Sequence, residues 1–142
     1  MEPFRLDTTG KLITARVFEL KTLSHADEYS QTLASQVARI PAAIRPVLCA
    51  DHRPVAIYSQ PVADRLSELF AHMNVRLQRV AILVAPSNAT LTLQLNRIVR
   101  EAGYENRRVF FESAEAVSWL KAALDVAELR RADQFLNELA AR

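Results

Sequence analysis

This sequence predicts an α/β fold: a mixed, mainly parallel sheet opened by an N-terminal β-hairpin, in the order ββαβαβαβαα, with the helices mostly on one face. Three observations carry that expectation. Val80-Ala81-Ile82-Leu83-Val84-Ala85 is an unbroken apolar run, preceded by Arg79 and closed by Pro86-Ser87-Asn88, the pattern of a strand buried on both faces. Segments of helical periodicity alternate with short apolar runs on either side of it, and each parallel return between strands needs such a crossover. Asp7-Thr8-Thr9-Gly10-Lys11 has the composition of a tight turn, with Gly10 placed to take positive φ.

Taken in order, Phe4 and Leu6 begin an extended piece and Leu12 to Leu20 a second strand. In the second, Ile13, Ala15 and Val17 share one face, and Thr14, Arg16 and Phe18 the other. Ser24-His25-Ala26-Asp27 is a helix-opening pattern, after which Tyr29, Leu33, Val37 and Ile40 recur at helical spacing until Pro41. Val47 to Ala50 is a short buried strand ending at Asp51-His52-Arg53-Pro54, and the apolar Val55 to Tyr58 is expected to fold back on the body. Pro61 suits a first helical turn, and Val62, Leu66, Leu69, Phe70 and Met73 form the stripe that follows.

Beyond the central strand, Ser87 or Asn88 caps a helix with Leu91, Leu95, Ile98, Val99 and Ala102 on its inner face, closed by Gly103. Val109-Phe110-Phe111 is the last strand. Ser113 is expected to cap a helix carrying Ala116, Trp119, Leu120, Ala123 and Leu124. Asp125-Val126-Ala127-Glu128 opens a final helix with Leu129, Ala132, Leu136 and Leu139 as its stripe, and Phe135 falls beside it. The expected organisation is one domain over residues 1–142, with 125–142 a C-terminal helical extension.

A chain of 142 residues, half of them hydrophobic, suits a single core. No segment reaches the roughly 18 continuous apolar residues of a membrane span, and Met1-Glu2-Pro3-Phe4-Arg5 lacks the blocks of a signal peptide, so a cytoplasmic location is expected. The 18 Lys and Arg against 16 Asp and Glu leave no concentrated basic excess for nucleic acid. Arg76, Arg79, Arg97, Arg100, Arg107 and Arg108 are the densest basic region, read as a solvated face paired with Glu101 and Glu105. Cys49, the single cysteine, reads as a small buried hydrophobe.

The two glycines, Gly10 and Gly103, lie in a turn and behind a helix, which excludes the usual phosphate-cradling loops. His25, His52 and His72 have no ligand-like spacing, so neither a metal nor a cofactor is expected. Asp51, His52, Arg53, Tyr58 and Ser59 gather after a strand's carboxyl end, where open α/β sheets bind ligands, and are the candidate ligand- or partner-binding residues. A Ser-His-Asp reading fails on two counts. Adjacent Asp51 and His52 point to opposite sides of an extended chain, and no glycine-flanked elbow surrounds Ser59.

The run from Arg79 to Val84, the segment Arg97-Ile98-Val99-Arg100-Glu101-Ala102-Gly103, and above all Arg108-Val109-Phe110 leading into Ala114-Glu115-Ala116-Val117-Ser118-Trp119-Leu120 resemble bacterial STAS-like proteins. These are small domains related to anti-sigma-factor antagonists and to the cytoplasmic end of sulfate transporters, similar in fold to SEC14-like lipid carriers. The resemblance implies a non-enzymatic regulatory module whose sheet is covered largely on one side. In the antagonist branch a phosphorylatable hydroxyl follows the third strand. Here His52-Arg53-Pro54 stands after Asp51, and Ser59 is the nearest hydroxyl.

The expected function is therefore protein interaction, with a partner or as a homodimer through an uncovered sheet face bearing Arg16 and Phe18, or through the terminal helix. The alternative is a carrier or sensor of a small apolar or anionic ligand held near Asp51 to Tyr58.

Overall fold

The computed structural model describes residues 2–140, with side chains described to Glu138. The elements run β1 (Phe4–Thr9), β2 (Leu12–Val17), α1 (Leu23–Ala38), β3 (Val47–Asp51), α2 (Gln60–Asn74), β4 (Arg79–Leu83), α3 (Ala89–Ala102), β5 (Arg107–Phe110), α4 (Ser113–Leu120), a 3₁₀ turn (Lys121–Ala123) and α5 (Val126–Ala140). The fold class is the expected one: a five-stranded sheet in the order β1-β2-β3-β4-β5, antiparallel between β1 and β2 and parallel elsewhere.

Because the strands follow one another across the sheet without reversal, right-handed crossovers carry α1, α2 and α3 to the same face. Alternation along each strand then divides the core. Ile13, Ala15, Leu48, Ala50, Val80 and Ile82 pack with α1 to α3, while Leu12, Val47, Cys49, Ala81 and Leu83 pack with α4 and α5. Cys49 is wholly buried, and burial pushes its thiol up to about 12.

The second face of the sheet is where expectation and structure part. It is not open: α5 lies across β2, and the Arg16 guanidinium stacks on the Phe135 ring, 4.2 Å from its centroid. Phe135 is buried rather than beside the stripe, and Ala132 and Leu136 are fully buried with it. Arg16 therefore belongs to an internal contact and offers no dimer face. Phe18 lies beyond the end of β2. The side chain of Leu139, expected in the stripe, lies outside the described residues.

Helix starts also shift. Thr22, not Ser24, caps α1 and accepts from the His25 N–H, and α4 follows Glu112 with no side-chain cap. Ser59 and Asn88 cap α2 and α3, and Gly103 closes α3 at φ 70°. The arginine region is not the single solvated face expected: Arg97 does pair with Glu101, but Arg107 is buried. Arg79 and Arg108 flank Trp119 at 4.9 and 5.0 Å, whereas Arg107 is buried on the opposite face, over Phe70, with its Nε donating to Asn74 Oδ1. Burial pushes the Arg107 guanidinium down to about 10.

The predicted Asp125–Glu128 box forms reciprocally: the Asp125 N–H donates to Glu128 Oε1 at 2.9 Å and the Glu128 N–H to Asp125 Oδ1 at 2.8 Å. The other carboxylate oxygen of Glu128 accepts the Lys11 N–H at 2.8 Å, which pins the start of α5 to the β1–β2 turn. Gly10, at φ 58°, lies directly under that carboxylate, so a Cβ there would collide with Glu128. Gly10→Ala therefore combines left-handed strain with displacement of a buried, doubly bonded carboxylate. We expect a loss of about 1–3 kcal/mol, read from the urea midpoint, and a smaller loss in a Glu128→Ala background, where the collision is gone.

Among the described residues no helix is long and apolar enough to cross a membrane.

Candidate functional site

In a sheet whose strand order never reverses there is no switch-point crevice, so the carboxyl ends of the parallel strands form an open edge. β2 and β3 both end there. The chain leaves β2 through Phe18 to Lys21 and leaves β3 through His52 to Ser59, and α1, α2 and α3 all begin at this end.

The structure distributes the five residues predicted for this site among three environments. Asp51 is fully buried and points toward α5. Its Oδ1 accepts the Arg53 N–H at 3.0 Å and Nε at 2.9 Å, and its Oδ2 accepts from Arg53 Nη2 and Arg16 Nε, each at 3.2 Å. The two guanidinium groups continue onto α5: Arg16 Nη2 donates to the Phe135 carbonyl at 2.6 Å and Arg53 Nη2 to the Leu136 carbonyl at 2.7 Å. Charge-assisted hydrogen bonds thus run from the buried Asp51 carboxylate through both guanidinium groups to the α5 backbone, so the Asp51–Arg16–Arg53 cluster is a latch that holds α5 to the sheet.

His52 turns the opposite way, as adjacent strand residues must. It is fully buried, and its Nδ1 lies 2.7 Å from the Tyr58 hydroxyl. Desolvation lowers His52 to about 4 and holds Tyr58 well above its ordinary value, so both are neutral at neutral pH. Ser59 is exposed, and its hydroxyl accepts the Val62 N–H as the α2 cap. Asp51, His52 and Ser59 are thus each committed to a different contact, and no nucleophile–base pair forms among them. Among the described residues no three His, Cys, Asp or Glu side chains gather as a metal-ligand set.

Two residues shape the loop at this edge: Asn88, the expected cap, in a second role, and Gln94, which motif reading passed over. Asn88 caps α3 through Oδ1 and, with its Nδ2, donates to the carbonyls of Val55 at 3.3 Å and Ala56 at 2.8 Å. Gln94, six residues further on, clasps the backbone of Tyr58: Oε1 accepts its N–H at 3.0 Å and Nε2 donates to its carbonyl at 2.7 Å. Val55 and Tyr58 are buried beneath, which leaves Ile57 on the outside at 60% exposure. Beside it, Phe18, Leu20, Pro54 and Ala56 border a groove of about 340 Å³ with Glu19 and Lys21 at its rim. The sole local hint of these roles was an amide residue at a helix cap and another six positions on.

No protein-family model matches this chain, and no curated protein matches it.

A second groove of about 300 Å³ runs between α1 and α2, lined by Leu33, Val37, Met73 and Leu77, with His72 and Arg76 beside it. It includes none of Asp51, His52, Arg53, Tyr58 and Ser59.

Proposed function

We propose that the chain is a STAS-like interaction module that acts by binding a protein partner at the carboxyl edge of its sheet, through the loop that presents Ile57 beside Phe18. The observation that carries this reading is the way the loop is held. Four hydrogen bonds with the Asn88 and Gln94 side chains, three donated by them and one accepted, fix its backbone from behind while its most apolar exposed side chain faces solvent. A loop ordered in advance loses little entropy when a partner covers it, and an exposed isoleucine gains from being covered. The acids and bases that chemistry would need are engaged elsewhere: Asp51 in the α5 latch, His52 with Tyr58. That supports binding over catalysis as the role of this edge. The resemblance of the chain to STAS-like domains, carried by the junction from Arg108 to Leu120, points to the same class of function.

A photo-crosslinking residue introduced at Ile57 tests it. In cells expressing the full chain, we expect a discrete adduct at position 57 that is lost when Phe18→Asp is added. The same probe at Val75, exposed at the opposite end of the sheet, should give none. Equal labelling at both positions, or none at 57, overturns the proposal.

The groove beside Ile57 favours a second reading, a carrier of a small apolar or anionic ligand. Its volume is that of a small-molecule site, and a ligand bound only by the folded chain would raise the melting temperature. Stabilisation by a short fatty acid, abolished by Leu20→Trp, would favour it.

A further inference from the structure

The sheet has two edges, and they differ in how they treat a neighbour. Among the described residues β5 pairs only with β4; it spans four residues and carries the exposed Arg108 near its middle, so self-pairing there brings arginine toward arginine. Among the described residues β1 pairs only with β2; it spans six residues, Phe4-Arg5-Leu6-Asp7-Thr8-Thr9, with no proline, lysine or glycine to spoil its outer edge.

The hairpin determines which backbone groups of β1 are free. Its two-residue loop closes on the pair Thr9 and Leu12, and at the far end the Phe18 N–H donates to the Pro3 carbonyl at 2.9 Å. Bonded pairs therefore fall at the odd-numbered residues Pro3, Arg5, Asp7 and Thr9, and the N–H and C=O groups of Phe4, Leu6 and Thr8 point out of the sheet. Arg5 and Asp7 are both exposed, and both stand on the face that α5 covers further in.

From this geometry we propose that two copies of the chain associate by antiparallel pairing of their β1 strands about a twofold axis at Leu6, giving one continuous sheet across both copies. Opposed residues in an antiparallel ladder share a face, and that restricts the register. An axis at Arg5 sets Arg5 against its own copy. An axis at Asp7 does the same with two carboxylates. With the axis at Leu6, Arg5 of each copy meets Asp7 of the other, twice by symmetry, and Phe4 meets Thr8. The free groups of Phe4, Leu6 and Thr8 are then all paired. The surface is self-complementary, as an isologous interface requires. The exposed Arg5–Glu2 pair within one copy is a weak competitor.

This association uses a different edge from the Ile57 loop, so the two proposals stand or fall separately. The test is a charge swap followed by sedimentation equilibrium over a wide concentration range, with folding of each variant checked by circular dichroism. The unaltered chain should show a monomer–dimer equilibrium. Arg5→Asp and Asp7→Arg, each alone, place like charges opposite one another twice per dimer and should weaken dimerisation roughly tenfold or more. The double variant Arg5→Asp/Asp7→Arg restores both pairs and should recover the dimer. A chain that stays monomeric at millimolar concentration overturns the proposal. So does a dimer indifferent to both single reversals, or one that the double variant fails to restore.

Discussion

Asp51→Ala should lower the stability of the fold by about 3–5 kcal/mol, the largest single effect expected at any position in the predicted site. The carboxylate is fully buried and accepts four hydrogen bonds from Arg16 and Arg53, whose side chains are only 12% and 16% exposed. Removing it leaves two guanidinium groups facing each other with little water to screen them and no anion between. The damage should begin at α5, because the same guanidinium groups hold the Phe135 and Leu136 carbonyls. Hydrogen exchange should accordingly rise across α5 before it rises in β3 or β4. Asp51→Asn, which keeps the shape and loses the charge, should fall between. Equal exchange increases throughout the sheet would show that Asp51 serves the core at large and not the α5 latch.

His52 should make the fold acid-sensitive by roughly 3 kcal/mol. Its ordinary value of 6.5 is lowered to about 4 in the folded chain, chiefly by desolvation, with Arg107 acting in the same direction and Asp51 opposing. A folded-state value below the unfolded one means that the unfolded chain binds the proton more tightly, so acid favours unfolding. The contribution of neutral His52 is intact above about pH 6.5, declines as pH falls toward 4, and is lost below. His52→Asn offers Tyr58 an uncharged partner and cannot take up the proton. Urea unfolding followed from neutral pH down to below pH 4 should show the unaltered chain losing stability more steeply than His52→Asn. Parallel curves would mean that the imidazole is already solvated in the folded chain.

These two neighbours show what could be read from the chain and what could not. That Asp51 and His52 point to opposite sides follows from the period of two along a strand, and the structure bears it out. Which partner awaits each one does not follow. The register of β2 on β3 sets Arg16 opposite Asp51, and a pairing between residues 35 positions apart leaves no local trace. Arg16 therefore looked like a residue on an open face, when it is half of an internal ion pair. Phe135 was misplaced for a related reason. Helical spacing put it beside the stripe, yet a sheet surface is broad enough to bury a residue adjoining it, and the Arg16 guanidinium supplies a flat cation for its ring. Asn88 was legible as a helix cap from its position before an apolar stripe. Its second role, and that of Gln94, depends on α3 passing beside the loop after β3.

The sequence by itself determined the order of strands and helices, the turn at Gly10, the closure at Gly103 and the capping box at Asp125 and Glu128. Each rests on contacts within a few residues or on a periodicity, and those survive in one dimension. Only the tertiary structure decided that α5 covers the second face, that Asp51 is its latch, and that Ile57 stands on a loop held from behind. Each of these arises where distant segments meet, and burial, not spacing, sets the cost of leaving a charge or a carbonyl without its partner.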